Sequence, residues 1–535
     1  MTAFTIEAHV VDLENNSDWW FVGIYASCDN HIRKQQWNVI ERRKSLWGER
    51  WILAGDFNDI ISNEEKWGGI CRQETSFQDF KQFINGNQLM DIGFTGHPWT
   101  WCNKWEDTGE IKQRLDRGLC SFSWSQVYEN VVCRHIDYYA SDHSILIIDT
   151  KPNSSRRRKR FHFDKRWLQR ADIGDVIREA WQQETQGSRM YQVTSKIKNC
   201  RLALSKWKNR FQTNSRQKIE NIQFQLRELK KSTGSTRNGF NGSLMRQLKD
   251  AYQEEEQYWQ QKSRIQWLRE GDKNTRYFHA LVQGRRRRNR LNKLQRDNGT
   301  WTEGEEDLCK EIEDYYRNLL NGNEGGDLTE VLDGIPHSIT DEMNENLLKP
   351  VLEDEITSVV FSMNPDKAPG IDGMSPLFFQ KFWTTIKQDV VNAIQTFFHT
   401  GYLLKSVNHT VITLIPKVLN PTSLKQFRPI SLCTTMYKII AKILANRIKS
   451  VLHCCICKNQ SAFIPGRQIL DNIMVSHEYL HYLKNMRHGK EGFMIVKLDM
   501  SKAYDRVEWS FLEAMMHKMG FHSTWINWIM QCLSS

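Results

Sequence analysis

The uneven distribution of charge along the chain constrains its fold more than any other sequence feature. Residues 151–290 hold 35 of the 74 Lys and Arg residues but only 13 of the 63 Asp and Glu residues. This segment therefore carries a charge of +22, and the rest of the 535-residue chain carries −11. A basic segment between two mildly acidic regions predicts several domains and a contact with nucleic acid. A solvated helical face is the alternative interpretation of the same charges.

The 12 cysteines are scattered, and no apolar run approaches the roughly 20 residues of a membrane-spanning helix. Free thiols without a signal-like segment predict an intracellular protein of the nucleus and cytoplasm, without a membrane partner. The one cysteine cluster is His-Cys-Cys-Ile-Cys at 453–457. Because no second ligand pair at zinc-site spacing accompanies it, we interpret it as a chance cluster beside a helix end.

The apolar pattern predicts a mixed α/β and α+β multidomain protein. Short strands are predicted at 20–26, 50–54, 144–149, 411–415 and 493–498. A helix is predicted at 75–85, and long helices follow between about 175 and 290. Their apolar rows are Leu204, Trp207 and Phe211, and then Ile219, Ile222, Leu226 and Leu229. A break at 232–243 and a second helix at 244–267 predict a helical hairpin or coiled-coil arm.

The N-terminal region carries polar groups suited to one chemistry. A predicted strand ends at Gly55 and is followed by Asp56 and Asn58, whose alternate positions put both side chains on one side. Alone, such a pair is also typical of an ordinary turn. Phosphodiester hydrolysis needs an activated water, a metal held by carboxylates and neutralisation of the phosphate. Further groups of the required types are Tyr25, Asp116, Asp142 and His143.

In this order these residues resemble the endonuclease/exonuclease/phosphatase superfamily, and most of all the apurinic-type endonucleases of retroelements. The resemblance implies that Asp56 orients or deprotonates the attacking water beside Asn58. It also implies that His143 contacts the scissile phosphate while Asp116 holds the other ring nitrogen. The roles implied for the remaining two residues are a metal–water network for Asp142 and a hydrogen bond to a phosphate oxygen for Tyr25.

The resemblance is incomplete at its start. The family places an Asn and a metal-binding Glu on strands well before the position of Tyr25, and only 24 residues precede it here. Glu7 and Glu14 do not stand in the expected context. We therefore expect a truncated sandwich with weakened affinity for Mg²⁺ and exposed strand edges.

A middle stretch carries a second family marker. Residues 267–275 read WLREGDKNT and lead to YFH at 277–279. This stretch resembles the segment between endonuclease and polymerase in plant LINE-type elements. The arginines that follow predict salt-sensitive phosphate contacts, with a nuclear-localisation patch as the alternative. They are Arg285, Arg286, Arg287, Arg288 and Arg290.

Four segments in the last third occur in a fixed order. They are KAPG at 367–370 with DG at 372–373, LIPK at 414–417 with FRPIS at 427–431, QSAF at 460–463 with PGR at 465–467, and VKLD at 496–499 with SKAYD at 501–505. The last segment reads as a strand that ends at a carboxylate, a position from which Asp499 could hold Mg²⁺. Lys417 and Arg428 flank a hairpin-like turn and could pair with phosphates.

This set resembles the reverse transcriptases of non-LTR retroelements and group II introns over about 352–535. The resemblance implies that Asp499 is the first catalytic metal ligand. It also implies that Tyr504 is the aromatic residue that excludes a ribose 2′-hydroxyl, and that Lys417 and Arg428 handle nucleotide and template. The family also needs a later aromatic-x-Asp-Asp hairpin, which does not occur before Ser535.

The resemblances together imply a LINE-type (non-LTR) retrotransposon polyprotein, whose family nicks target DNA and copies element RNA from the nick. The expected architecture is a truncated endonuclease/exonuclease/phosphatase sandwich (1–150), a helical basic linker (151–290), a connector (291–351), and the fingers and partial palm of a right-hand reverse transcriptase (352–535). Because both sites look truncated, we expect neither nicking nor primer extension by this chain alone. A non-catalytic nucleic-acid binder is the alternative, and a small-molecule phosphatase of the same superfamily is a third interpretation.

Overall fold

The computed structural model of the protein describes residues 2–534 except for 15–16, 106–108, 137–139, 152–159, 211–214, 232–236, 264–281, 283, 287, 290, 292, 322–327, 419–420, 487–491 and 501. The chain forms two compact units. Unit 1 comprises Met1–Arg158, Ile222–Leu308 and Leu414–Arg428, and unit 2 comprises Lys159–Asn221, Cys309–Thr413 and Pro429–Ser535. The domain boundaries expected from the sequence stay predictions.

Unit 1 is built on a five-stranded sheet in the order β1–β2–β3–β8–β5. Strand β2 runs parallel to β3, and the other neighbours are antiparallel. Two smaller sheets have the orders β10–β9 and β4–β7–β6. The strands are β1 Thr5–Asp12, β2 Ser17–Tyr25, β3 Trp51–Asp56, β4 Lys66–Trp67, β5 Met90–Asp91, β6 Trp101–Cys102, β7 Lys112–Gln113, β8 Asp116–Cys120, β9 Val132–Ile136 and β10 Ile145–Asp149.

The large sheet buries apolar side chains on both faces because alternate residues of a strand point to opposite sides. Leu53 packs with Trp37 in a cluster that includes helices α1 (Asn30–Arg43) and α2 (Gln78–Gly86). Ile52 packs with Trp124 of α3 (Phe122–Val127) on the other face, where side chains of β9 and β10 join the cluster. The strands predicted at 20–26, 50–54 and 144–149 and the helix predicted at 75–85 are confirmed to within a few residues.

A buried ion network supports the edge where β8 begins. Arg117 is 0% exposed and donates to Glu65 Oε2 at 2.9 Å. Arg114 donates to Glu65 Oε1 at 3.0 Å and to Asp91 Oδ1 at 2.9 Å. Burial alone would raise the pKa of Asp91, but the guanidinium groups of Arg114 and Arg117 hold it well below its usual range. Both arginines are therefore paired on either side of Leu115 and Asp116.

Helices dominate the rest of the chain. They are α4 Ile173–Trp181, α5 Arg189–Trp207, α6 Ser215–Lys231, α7 Arg237–Ser263, α8 Gly304–Leu320, α9 Thr329–Asp333, α10 Asp341–Leu348, α11 Glu353–Ser362, α12 Pro376–Lys381, α13 Trp383–Thr400, α14 Lys405–Asn408, α15 Thr435–Ile448, α16 Leu452–Cys455, α17 Ile469–Asn485, α18 Ala503–Arg506, α19 Trp509–Met519 and α20 Ser523–Ser534. Strands β11 (Val411–Pro416) and β12 (Phe427–Leu432) pair as a two-stranded sheet, which confirms the strand predicted at 411–415.

Unit 2 has a single large core into which helix α5 packs beside α13. The buried face of α5 carries Val193, Ile197 and Leu204 at helical spacing. Asp389 of α13 accepts hydrogen bonds from Trp181 Nε1 at 2.8 Å and from Lys196 Nζ at 2.6 Å. The helix predicted from the Leu204 row is thus confirmed, although Phe211 lies outside the described residues.

Two predictions of secondary structure are wrong, one for part of the break at 232–243 and one for the strand at 493–498. Residues 237–243, predicted as part of a break, belong to α7, since a helix can include glycine at a penalty of roughly 1 kcal/mol per residue. Residues 493–498, predicted as a strand, have irregular backbone with Val496 66% and Leu498 87% exposed. A strand needs a neighbour for its N–H and C=O groups, and no strand of the described residues pairs with this segment.

The hairpin expected from the long helices is present in part. Gln223 of α6 donates to the Tyr252 hydroxyl of α7 at 2.8 Å. Helix α7 ends at Ser263, and residues 264–267 of the predicted helix lie outside the described part of the chain. None of the described helices combines the length and the apolar character needed to cross a membrane.

Replacing Arg117 with Leu should destabilise β8 strongly, because Glu65 and Asp91 would lose the same buried cation. Removing one partner of a buried pair costs about 3–5 kcal/mol. Hydrogen exchange of the β8 amides measures this loss as a fall in their opening free energy. The control is Arg134→Leu, whose pair with Asp149 is half-exposed, with an expected loss below about 1 kcal/mol. Equal losses in both variants would contradict the prediction.

Candidate active site

Three residues of the predicted site lie at one edge of the large sheet because their strands end or begin there. Asp56 is the last residue of β3 and is the register partner of Asp116, the first residue of β8. Tyr25 ends β2 and is the register partner of Asp56 in the parallel ladder. The order of the strands therefore brings together residues that stand far apart in the sequence.

The turn after β3 fixes the Asp56 carboxylate. Its two oxygens accept hydrogen bonds from the backbone N–H and the side-chain amide of Asn58, each at 2.8 Å. The same amide donates to Ala26 O at 2.8 Å. Asn58 has a φ of 50°, a left-handed conformation that asparagine tolerates better than most residues. Asn58 therefore orients Asp56 and ties the turn to the end of β2.

Gly55 makes the close approach of β2 and β3 possible at this point. Its φ is 139°, and a Cβ built on it would collide with the backbone oxygen of Ile24. Only glycine can therefore occupy the position before Asp56 without displacing a strand.

His143 and Asp116 form the pair expected from the sequence. Nδ1 of His143 lies 2.9 Å from Asp116 Oδ2. This hydrogen bond is the main cause that raises the pKa of His143 above its ordinary value. The pair therefore favours a protonated imidazole that remains partly exposed at the edge of the sheet.

Thr100 and Trp101 position this pair, and the sequence analysis did not identify either residue. Oγ1 of Thr100 accepts hydrogen bonds from the backbone N–H groups of Leu115 and Asp116, at 3.0 and 2.9 Å. The Thr100 carbonyl also accepts the backbone N–H of Ser144 at 2.7 Å. Thr100 is 1% exposed, so its hydroxyl is a buried link between the start of β8 and the His143 loop.

Asp142 lies outside the group formed by the other carboxylates. Its Oδ2 accepts the indole N–H of Trp101 at 3.0 Å, and this hydrogen bond is the main cause that lowers its pKa. Tyr25 is 67% exposed, so its phenol is accessible beside Asp56. The metal role predicted for Asp142 and the phosphate role predicted for Tyr25 stay predictions.

Asp56, Asp116 and His143 are the one group in the described part of the chain with the geometry for a metal ion. One ligand atom from each lies within 4.8 Å of the others. Burial, and then the nearby Asp116 carboxylate, raise the pKa of Asp56 to about 6. Two buried carboxylates that repel each other suit a divalent cation, because its charge would offset both their burial and their mutual repulsion.

The two glutamates near the start of the chain are engaged elsewhere. Glu7 on β1 accepts two hydrogen bonds from Arg43 at 2.7 Å and one from the Trp47 indole at 3.3 Å. Glu14 pairs with Lys151. Neither carboxylate belongs to the group of described residues that could hold a metal ion.

The two cations predicted for nucleotide handling lie on the β11–β12 hairpin. Lys417 directly follows β11, is exposed, and donates from Nζ to Lys425 O at 3.1 Å. Arg428 lies on β12 and is exposed. Both cations are accessible on one hairpin, and their contact with a nucleotide stays a prediction.

Asp499 and Tyr504 lie in a more open region. Asp499 is exposed on the irregular segment, and no second carboxylate of the described residues joins it in a metal-binding group. Tyr504 is 78% exposed and makes an edge contact with Phe463 at 6.2 Å between ring centres. The catalytic role of Asp499 and the sugar-selecting role of Tyr504 therefore stay predictions.

The arginine run is only partly described. Arg285, Arg286 and Arg288 are exposed, and Arg285 donates to Ser263 O at 2.7 Å. Arg287 and Arg290 lie outside the described residues, as does the family marker at 267–279.

The cysteine cluster at 453–457 spans the end of the short helix α16, which ends at Cys455. Cys454 Sγ lies 3.2 Å from His453 Nε2, and burial raises the pKa of Cys455. No metal-binding group of the described residues includes these side chains.

Comparisons with known proteins relate this chain to proteins of transposable elements. Residues 415–535 match the reverse transcriptase (RNA-dependent DNA polymerase) family. An uncharacterized 149 kDa protein of transposon TX1 from Xenopus laevis is 26% identical over 497 residues, which are 90% of this chain and 37% of the relative. A Pol polyprotein from the type-1 retrotransposable element R2 of Nasonia vitripennis is 29% identical over 175 residues, 32% of this chain and 16% of the relative.

A third relative is the probable RNA-directed DNA polymerase from transposon BS of Drosophila melanogaster, 25% identical over 170 residues, 30% of this chain and 18% of the relative. The chain thus spans 16% to 37% of the lengths of these relatives. They come from a frog and insects, and the plant-like character of the marker stays a prediction. The reverse transcriptase match at 415–535, the similarity to the transposon TX1 protein over 90% of the chain and the shorter similarities to the R2 and BS proteins together support a LINE-type (non-LTR) retrotransposon polyprotein.

Proposed function

We propose that this chain belongs to a protein that serves retrotransposition with two activities, a Mg²⁺-dependent nicking of DNA at the Asp56 site and RNA-directed DNA synthesis through the domain at 415–535. For nicking, the convergence of side chains at the Asp56 site leads us to replace the expectation from the sequence that this chain alone is inactive. For primer extension, that expectation stands. The observation that carries the first activity is the convergence of Asp56, Asp116 and His143 within 4.8 Å. The large sheet with a buried cluster on each face supports an endonuclease/exonuclease/phosphatase sandwich as the fold around this site.

The residues at the sheet edge suit in-line attack of water on a phosphodiester. The Asp56 pKa of about 6 leaves its carboxylate ionised at neutral pH, so it can bind a divalent cation and orient the attacking water by accepting a hydrogen bond from it. The raised pKa of His143 favours an imidazolium that can stabilise negative charge on the phosphate. The exposed phenol of Tyr25 can donate a hydrogen bond to a phosphate oxygen.

Asp56 and Asp116 would hold the Mg²⁺ ion, and Asp142 would contribute through water. A bound Mg²⁺ would polarise the phosphate and lower the pKa of water. Asn58 keeps the Asp56 carboxylate in place with two hydrogen bonds, so the site does not need to reorganise when it binds metal.

The second activity rests on the reverse transcriptase match. Asp499 would be a metal-binding carboxylate of the polymerase site, Tyr504 would select the sugar of the incoming nucleotide, and Lys417 and Arg428 would pair with phosphates. The support for the two cations is their exposure on a single hairpin. DNA and RNA are the partners that these activities require.

A non-catalytic nucleic-acid binder is the second candidate function. Its support is the charge of +22 over residues 151–290 and the exposure of Arg285, Arg286 and Arg288. Binding through phosphates needs no carboxylate cluster. The two candidates therefore differ in metal binding and in the nicking of DNA.

Titration with Mn²⁺ as a probe for the Mg²⁺ site should detect binding that depends on Asp56 and Asp116. Replacing either carboxylate with its amide should lower the affinity for Mn²⁺ at least about tenfold, because each substitution removes one anionic ligand. Glu14→Gln is the control, since Glu14 is exposed and pairs with Lys151.

Nicking of supercoiled DNA is measured on the same variants. Metal binding with nicking that Asp56→Asn and His143→Ala abolish would support the catalytic function. Binding of DNA with neither metal binding nor nicking would support the non-catalytic binder and contradict the endonuclease proposal.

Replacing Asp116 with Asn should lower the pKa of His143, because the hydrogen bond that His143 donates to the Asp116 carboxylate is the largest cause of its elevation. NMR titration of the ring protons in metal-free protein measures the change. In the unchanged protein the pair stabilises the fold below about pH 6.5, and this stability is lost as the pH rises through the raised pKa. Asp142→Asn is the matched control and should lower the His143 pKa less, and an equal shift would contradict the prediction.

Nucleic-acid binding should weaken steeply with salt if the basic segment contacts phosphates. Replacing Arg285, Arg286 and Arg288 together with Gln should reduce the slope of log K against log salt by about 2–3, close to 0.9 per lost contact. Filter binding across a salt series measures the slope. Arg42→Gln on the exposed side of α1 is the control and should leave the slope unchanged. A slope that the triple substitution does not alter would exclude these arginines.

A further inference from the structure

Unit 2 contains a cavity of about 300 Å³ beside helix α5. Its other walls are the loop at Ile371 and Asp372, residues of α14, and the start of α15. The volume is at the lower end of the range for small-molecule sites, about 300–1,000 Å³. None of the residues with a proposed catalytic role lines it, so it is separate from both proposed reactions.

Helix α5 turns a polar face to this cavity and an apolar face to the core. The core face carries Val193 and Leu204, which are buried. The cavity lining from the same helix includes Tyr191, Lys198 and Arg201, spaced seven and three residues apart. These spacings place the three side chains on one side of a helix. Lys198 and Arg201, two cations of the basic segment, therefore face the cavity.

Opposite charges line this cavity without forming an ion pair. Arg201 is half-buried and Lys198 is exposed, and neither makes a hydrogen bond or ion pair with the described residues. Asp372 accepts one hydrogen bond, from the backbone N–H of Met374 at 3.1 Å. Burial raises its pKa to about 6, and Lys438 and Arg201 act in the opposite direction. A cation and a carboxylate that remain apart leave room for a ligand that bridges them.

The loop that carries Asp372 is held in place. Lys438 donates to Ala368 O at 2.6 Å, and the Gly373 carbonyl accepts the backbone N–H of Phe163 at 3.0 Å. A Cβ on Gly370 would lie 2.6 Å from the backbone nitrogen of Thr434. The carboxylate is therefore presented from a preorganised loop, which lowers the entropic cost of binding.

The lining also provides apolar surface for a ring. Tyr191 is 51% exposed and Ile371 is 45% exposed, and both contribute to the cavity wall. Aromatic side chains stack on nucleobases regardless of sequence. One ligand class unites the three features: an anionic phosphate for Arg201 and Lys198, sugar hydroxyls for Asp372, and a planar base for Tyr191.

We propose that this cavity binds one nucleotide unit, with its phosphate on Arg201 and Lys198 and its sugar hydroxyl on Asp372. A free mononucleotide and a nucleotide within a single strand offer the same chemistry. The cavity would act as a binding site outside both catalytic centres, and a strand bound there would be anchored by α5.

Calorimetric titration of the full chain with AMP tests the proposal, with adenosine and inorganic phosphate as partial ligands. AMP should bind more tightly than either part, since only AMP reaches both charged walls. Arg201→Gln should lower the affinity for AMP about tenfold. This change corresponds to the loss of roughly 1.4 kcal/mol from a charge-assisted hydrogen bond. Asp372→Asn should weaken AMP but not inorganic phosphate. The amide oxygen can still accept the Met374 N–H.

Two further variants separate the site from general effects. Lys206→Gln removes an equal charge from the exposed surface of α5 away from the cavity and should leave AMP binding unchanged. Ser406→Trp fills the cavity from an exposed position and should abolish binding without disturbing the core. Unchanged thermal unfolding of each variant shows that its fold is intact.

A short single-stranded RNA distinguishes the two sources of the ligand. Tighter binding of RNA than of AMP, with the same loss in Arg201→Gln, would assign the site to a strand. Equal binding of both would assign it to a free mononucleotide. Failure of both to bind, AMP binding no tighter than inorganic phosphate, or equal weakening by Lys206→Gln would overturn the proposal. Metal binding at Asp56 is unaffected by these outcomes, so the catalytic proposal is tested separately.

Discussion

The antiparallel pairing of β3 with β8 places Asp56 directly opposite Asp116, and the proposed chemistry of unit 1 depends on that register. A shift of one residue in either strand would turn its carboxylate to the opposite face of the sheet and separate the pair. Burial and mutual repulsion make the pair unfavourable without a cation, as the raised pKa of Asp56 indicates. Carboxyl groups with perturbed pKa values are typical of sites retained for binding or catalysis.

The nearby arginines do not neutralise the two carboxylates. Arg114 and Arg117 flank Asp116 in the sequence, yet they pair with Glu65 and Asp91 instead. Asn58 and His143 satisfy the hydrogen bonding of Asp56 and Asp116 with groups that can coexist with a metal ion. The paired arginines hold the backbone in place, and the carboxylates stay available for a cation. The structural role of the two arginines explains why buried cations lie so close to the proposed metal site.

The sequence predicted the members of this site because each stands at the end or beginning of a short apolar run. Asp56, Asp116 and His143 could be identified by type and order, and the structure brings them together. Thr100 and Trp101 could not be identified, because a threonine that accepts two backbone N–H groups has no sequence signature. The strand predicted at 493–498 is wrong because local β propensity does not supply a pairing partner. The presence of 237–243 in α7 likewise shows that glycine content alone does not determine where a helix begins.

The basic segment shows how a charge pattern can have different structural meanings along its length. In α5 the apolar side enters the core of unit 2, and Lys198 and Arg201 face a cavity that also contains a carboxylate. At 285–288 the described arginines are exposed, as expected for contacts with a phosphate backbone. A freely solvated cation attracts any nearby phosphate and is screened by salt, whereas a half-buried one opposite a carboxylate also selects for shape. Salt should therefore weaken binding at the exposed arginines more steeply than binding at the α5 cavity.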